Sequence, residues 1–298
     1  MLRTLTRTYH SALGSSIRST PAFSTLPRIK IPDLQAPSLD SANDQSHLDS
    51  VQRHLQDAGV LKISLNFDDN DSHYLQQLIR GLHKYHGHGL PITHSAHRGW
   101  FWDIRPSQTT FQCPEHQARS ETMNEFPWHT DCSYETSPPR FFALQVLHPD
   151  QCGGGTLSVL KVDNLLQLLS ESTRVALTKK DYRITVPPEF RKTENKDESI
   201  IGRLLAPDPE SGSLALRFRE DIFTPLTAEA GLALEELKSV LLGPRAQAEV
   251  VHLTADLMPR GSIVVMDNRR WLHGRNQVKD PRRHLKRVRW DARPFGLD

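Results

Sequence analysis

Three stretches of this chain repeat their apolar residues with the period of a helix, and between them lie short alternating or unbroken apolar runs with the character of strands. Leu48, Val51 and Leu55, stopped by Gly59, predict a helix over 46–58, and Leu75, Leu78, Ile79 and Leu82 predict a second over 73–84. Leu232, Leu234, Leu237, Val240 and Leu241 predict a third over 227–242, with Thr227 placed to cap its first turn. Strands are expected at 60–65, 142–147, 156–162, 182–186, 213–218, 249–253, 262–266 and 285–290, punctuated by Pro- and Gly-rich turns. Residues 32–46 read as a linker. The pattern is that of a mainly β fold with helices added at its edge and no internal repeat.

Composition narrows the function classes. The 298 residues suffice for one large domain, expected over 31–298. Lys and Arg number 37 against 35 Asp and Glu, and the net charge of +2 gives no electrostatic reason to expect nucleic acid or an anionic membrane as partner. No apolar run approaches the length of a membrane span. Cys113, Cys132 and Cys152 form no Cys-x-x-Cys pair and argue for a reducing interior, with Cys132 expected as a small side chain on an outward face. Residues 1–30 hold no Asp or Glu, while Arg3, Arg7, Arg18, Arg28 and Lys30 stand among many Ser and Thr. That is the composition of a mitochondrial presequence and equally of a disordered tail, so the expected location is mitochondrial on the first reading and cytoplasmic on the second.

Candidate chemistry begins with His and Asp two residues apart. Three such tripeptides occur, His47-Leu48-Asp49, His129-Thr130-Asp131 and His148-Pro149-Asp150, where chance gives about one, so context has to choose. The first falls on the solvated side of the first predicted helix. The third ends the apolar run 141–147 and enters the Gly153-Gly154-Gly155 turn, which turn chemistry explains. The middle one has partners downstream: Thr156 after the triple glycine, His273 within 270–275, and Arg283 and Arg287 beyond it. On a strand, His129 and Asp131 would share a face with Thr130 turned away. A His from a distant strand would then complete the two-His, one-carboxylate set that leaves adjacent positions open on a metal ion. Arg is the side chain suited to a bidentate grip on a carboxylate. The simplest alternative for Arg282, Arg283, Lys286, Arg287 and Arg289 is a charged surface strand.

Taken in order, the motifs are His129-Thr130-Asp131, Gly153-Gly154-Gly155-Thr156, the run 261–268 leading to His273, and Arg283-x-x-x-Arg287. From about Arg98 to Phe295 the chain thereby resembles the taurine dioxygenase and clavaminate synthase-like branch of the Fe(II)- and 2-oxoglutarate-dependent oxygenases. The resemblance implies a distorted jelly-roll, a double-stranded β-helix with flanking helices. It implies Fe(2+) on His129, Asp131 and His273, with the distal carboxylate of 2-oxoglutarate on Thr156 and Arg283 and with O2 as the second co-substrate. Arg287 would face the acidic group of a small-molecule substrate. The implied reaction oxidises, by default hydroxylates, an unactivated C–H bond and releases succinate and CO2. Glu125 and Arg287 together read as a clamp for an amino acid, Trp128 with Trp100, Phe101 and Trp102 as pocket walls, and 118–126 as a lid. The Gly-Gly-Gly turn departs from the Gly-Gly-acidic form of many relatives, and Lys286 and Arg289 crowd the arginine run. A zinc hydrolase using the same ligands would leave Thr156 and Arg283 without a role, and a non-catalytic barrel binding a small acid would need no metal triad.

Overall fold

The apolar runs of the sequence are strands covered on both faces, which is why several of them are unbroken instead of alternating. The structure, a computed structural model, describes residues 30–93, 99–106, 117–191, 198–210 and 212–296; the basic segment up to residue 29 and Cys113 lie outside the described residues. In chain order the first strands are β1 (Asp33–Ala36), β2 (Val60–Leu65), β3 (Phe101–Ile104), β4 (Phe126–His129), β5 (Pro139–His148), β6 (Leu157–Lys161), β7 (Tyr182–Thr185) and β8 (Ser199–Gly202). They are followed by β9 (Leu205–Pro207), β10 (Leu214–Leu216), β11 (Phe223–Pro225), β12 (Val251–Leu253), β13 (Ser262–Asp267), β14 (Trp271–Arg275) and β15 (His284–Ala292).

Six strands form one sheet in the order β1-β2-β13-β5-β15-β3, and four form a second in the order β12-β6-β14-β4. Phe142, Leu144 and Val146 of β5, Val264 and Met266 of β13 and Leu285 of β15 meet Val159 of β6, Leu253 of β12 and Trp271 of β14 between the sheets. The alternate residues of the same strands, Phe141, Ala143, Ile263, Val265, Val288 and Trp290, pack beneath two helices, α1 (Gln45–Asp57) and α2 (His73–His86). The outer face of the smaller sheet is covered by α3 (Val162–Leu166), α4 (Glu171–Leu177) and α5 (Ala228–Leu242), through Leu160 and Leu272. This is the expected jelly-roll, two sheets with a core between them and helices outside.

Three expectations change. Residues 32–46 are not a linker: β1 pairs in parallel with β2, and the turn of 3-10 helix Leu39–Asn43 buries Ala42 in the helix-side core. α1 starts at Gln45, one residue before the expected 46, because Asp44 caps it by accepting from the backbone N–H of His47. On α5, capped by Thr227 as expected, the buried stripe is Ala230, Ala233, Leu234, Leu237 and Leu241, while Leu232 is 69% exposed. Small alanines bring the helix close to the sheet, and Leu232, two residues from Leu234, falls on the far side of the 3.6-residue turn. No helix among the described residues is long and apolar enough to cross a membrane.

Candidate active site

The two sheets open onto a site at the end of β4 and β14. These strands are antiparallel neighbours, and their register sets His129 directly opposite His273, with ring centroids 4.1 Å apart. On β14, Trp271 and His273 alternate with Leu272, so the residues facing the inter-sheet core also aim the second imidazole inward. Asp131 is not on the strand. β4 ends at His129, and Asp131 begins a turn in which Cys132 adopts a left-handed φ of 54°. Thr130 does turn away, its hydroxyl accepting from the backbone N–H of Phe218 at 3.1 Å. What fixes the carboxylate is Asn268, between β13 and β14. Its Oδ1 accepts from the Asp131 N–H at 2.7 Å, and its Nδ2 donates to the carbonyls of Asp131 and Pro139, each at 2.9 Å.

Asp131 Oδ1 stands 3.8 Å from Nε2 of both His129 and His273, and one ligand atom from each residue lies within 4.8 Å of the others. The donor set fits a divalent ion in its protonation as well as its position. Burial holds both imidazoles neutral, pushing His129 well below the usual histidine range and His273 down to about 4. Burial pushes the Asp131 carboxyl up, but the guanidiniums of Arg287 and Arg289 overrule it and hold the acid ionised, well below the usual range. Two neutral nitrogens and one carboxylate are the forms that bind metal without first losing a proton. His129 Nδ1 donates to the Pro127 carbonyl at 2.7 Å, which leaves Nε2 as the free lone pair toward the centre. Among the described residues, buried Asp131 Oδ2 and His273 Nδ1 have no hydrogen-bond partner.

The arginine run is a buried strand, not a surface one. Arg283, Arg287 and Arg289 are each 5% exposed or less, whereas Arg282 points to solvent. Arg287 and Arg289, two apart on β15, share the inward face. Arg287 Nη1 lies 3.6 Å from Asp131 Oδ1, and Arg289 Nε lies 3.7 Å from Oδ2. Trp102 lies under Arg287, 4.3 Å from ring centroid to guanidinium carbon, and donates its N–H to Glu121 at 3.2 Å. Cys132, expected to point outward, is buried and takes a 2.8 Å contact from Arg289 Nη1 at its sulfur, because the left-handed turn swings it back under β15.

Two chambers meet at the triad and share Ser120, Phe126, His129, Asp131 and Arg287. One runs between the sheets past Phe142, Leu144, Leu157 and Leu285 to Arg275 and Arg283. The other opens past Tyr134, Glu189, Phe190 and Arg219, with Arg289 in its wall. Of the residues singled out in the sequence, His129, Asp131, His273, Arg283 and Arg287 come together here. Thr156 does not line either chamber: its neighbour Leu157 faces in, while the Thr156 N–H donates to Asn276 Oδ1 at 2.7 Å and its carbonyl accepts from the Asn276 N–H at 3.3 Å. Glu125 is exposed and outside both chambers; the buried carboxylate of its segment is Glu121. Trp128 packs instead on the core beneath α5. Arg275 and Asn268 were missed and Arg289 was noted only as crowding the arginine run, although Arg275 and Arg289 stand two residues beyond His273 and Arg287, the spacing that puts strand residues on one face.

The triple glycine works through Arg283. Gly155 has φ 64°, and a methyl group on it would sit 2.7 Å from Arg283 Nε. Gly155→Ala should therefore displace the Arg283 guanidinium and weaken binding of a carboxylate there by about tenfold or more, with metal binding unchanged. Titrations of metal and of 2-oxoglutarate, done separately, check this; equal losses in both would tie Gly155 to the fold instead.

The chain matches the family described as Taurine catabolism dioxygenase TauD, TfdA family over residues 19–289. It is 29% identical over 173 residues to the L-asparagine oxygenase of Streptomyces coelicolor, a match over 57% of this chain and 47% of that protein, about half its length. Among solved structures it resembles an asparagine oxygenase in complex with Fe(II), 2S,3S-3-hydroxyasparagine and succinate, with TM-score 0.62 and 18% identity over 89% of this chain and 94% of the other. It also resembles the non-haem iron oxygenase OrfP in complex with Fe and alpha-ketoglutaric acid, with TM-score 0.62 and 17% identity over 90% and 95% of the two chains. At such identities these structures establish the shared fold, and the family match spans most of the sequence. The chain belongs to the TauD/TfdA family of dioxygenases.

Proposed function

We propose that this protein is an Fe(II)- and 2-oxoglutarate-dependent dioxygenase that oxidises, by default hydroxylates, a C–H bond of a small carboxylate- or amino-acid-like substrate. The observation that carries the reading is the His129-Asp131-His273 triad at the junction of two chambers, one of which ends at the buried cation Arg283. Iron bound there would supply O2 activation coupled to decarboxylation of 2-oxoglutarate to succinate and CO2.

The chain's own residues do the rest. Arg283 is 5% exposed, and among the described residues its side chain makes one hydrogen bond, to the Gly155 carbonyl at 3.4 Å, and no ion pair, with the Asp150 carboxylate acting on it only from beyond salt-bridge distance. A buried guanidinium in that state calls for an anion, and the distal carboxylate of 2-oxoglutarate supplies one. Phe142, Leu144, Leu157 and Leu285 line the space between Arg283 and the triad and keep water from it. On the other side Arg287, whose buried Nε has no hydrogen-bond partner among the described residues, is placed to orient an acidic group of the primary substrate beside the triad. Glu189 and Arg219 further out offer one charge of each sign, 3.9 Å apart, which suits a zwitterionic substrate. The asparagine oxygenase relatives support an amino acid as the first class to screen.

The test is anaerobic visible absorption of protein titrated with Fe(II) and then 2-oxoglutarate, followed by a screen of amino and carboxylic acids for those that trigger succinate release. A charge-transfer band that needs His273 and weakens in Arg283→Ala is the expected result. Fe(II) binding without that band would hand the site to the zinc-hydrolase or acid-binding reading. Arg283 also predicts a pH dependence. Burial, followed by the charge of Arg275, pushes its pKa down to about 9. The protonated form binds the dianion, so 2-oxoglutarate affinity should be level below that value and fall as pH rises through it, toward a limit of about tenfold per pH unit. Affinity that stays level up to about pH 10 would mean that Arg283 keeps its proton there, and loss of 2-oxoglutarate binding in Arg283→Ala then decides its place in the co-substrate site.

A further inference from the structure

The chamber leading away from the triad holds a second buried cation. Arg275 lies two residues after His273 on β14, opposite Leu157 of β6, and both line the chamber that Arg283 closes. It is 9% exposed. Its Nη1 donates to the Ser120 carbonyl at 3.5 Å, and its Nη2 donates to the carbonyls of Thr122, at 3.1 Å, and Asn124. Three bonds thus pin the segment before β4 across the mouth of the chamber. One donor is not used up: among the described residues the buried Nε has no acceptor. Among the described residues neither Arg275 nor Arg283 is ion-paired, and burial pushes both below the usual arginine range, Arg275 to about 10 and Arg283 to about 9, with Arg275's charge adding to the second shift. Two like charges desolvated in one chamber are costly unless the occupant brings negative charge to both. Thr156, meanwhile, stands outside the chamber wall.

We propose that Arg275 is a second binding residue for the distal carboxylate of the co-substrate, its Nε taking one oxygen while Arg283 takes the other, and that its grip on the 120–124 carbonyls seals the chamber over the bound acid. This assignment rests on the function proposed above. It gives Arg275 a role that neither the metal triad nor the lid alone requires: discrimination between a 2-oxo diacid and a 2-oxo monoacid of equal length.

The experiment is calorimetric titration of Mn(II)-loaded protein with 2-oxoglutarate and with 2-oxopentanoate, which replaces the distal carboxylate by a methyl group. Wild-type protein should prefer 2-oxoglutarate. Arg275→Gln should cut that preference by about tenfold or more, because any loss for 2-oxopentanoate from the broken 120–124 contacts is smaller than the loss for 2-oxoglutarate. Arg283→Ala should keep a part of the preference, because Arg275 remains. An unchanged preference in Arg275→Gln overturns the proposal, as does a loss shared equally by both acids, which would leave Arg275 a lid pin only. If Arg275→Gln does not fold, Arg283→Ala decides: a preference that survives supports the second cation, and one that vanishes overturns it. Wild-type protein that binds both acids alike, or neither, sinks the proposed function itself.

Discussion

Asp131→Asn should abolish tight metal binding and lower stability together. The carboxylate is 4% exposed and is both the anionic ligand of the triad and the counter-charge facing Arg287 at 3.6 Å and Arg289 at 3.7 Å. An amide keeps the shape but withdraws the charge from two buried guanidiniums, and breaking a buried ion pair from one side costs about 3–5 kcal/mol. Removing a ligand should weaken Fe(II) or Mn(II) binding by more than the roughly 10–100-fold that loss of an outer partner brings. Urea unfolding and anaerobic metal titration of the same preparation measure the two effects. A variant that binds metal as wild type does would remove Asp131 from the ligand set, whatever its stability.

Asn268→Ala is expected to be nearly as damaging, without touching a ligand side chain. Asn268 is 1% exposed and its three hydrogen bonds hold both sides of the Asp131 peptide and the start of β5. Alanine would leave three buried backbone groups unpaired, at about 1–3 kcal/mol for each that water does not reach. The turn it braces carries Cys132 at φ 54°, a conformation that a non-glycine residue keeps only when its surroundings enforce it. Relaxation of that turn moves the Asp131 carboxylate off the axis of the two imidazoles. The expected result is a loss of about 3 kcal/mol in unfolding free energy and a metal affinity reduced about 10–100-fold. Lost stability with unchanged metal affinity would restrict Asn268 to a folding role.

Much of this was legible because it rests on local rules. The helices α1, α2 and α5 follow from apolar spacing, and the alternation on β5, β13 and β15 gives both the inter-sheet core and the helix-facing core. Of the other two His-x-Asp tripeptides, the first is solvated only at Asp49, since His47 is half-buried against Tyr74 of α2, and Asp150 accepts backbone N–H bonds from Cys152, Gly154, Lys279 and Asp280 as a turn residue. The middle tripeptide, His129-Thr130-Asp131, is the one whose side chains converge with a distant histidine.

The linker reading of 32–46 failed for a non-local reason: β1 is a strand only because β2 offers a parallel edge. The same reason hid the burial of the arginines. A run rich in Arg reads as solvent-facing until a carboxylate from another strand, Asp131, and an aromatic face, Trp102, are brought beneath it. Sequence by itself determined the layered β architecture, the candidate ligands and their order, since periodicity and residue chemistry are properties of the chain alone. Only the tertiary structure decided that Asp131 sits in a turn held by Asn268, that Thr156 and Glu125 stand outside the chambers and that Arg275 stands inside. Strand register settles those points, and a shift of one residue would turn every such side chain to the opposite face.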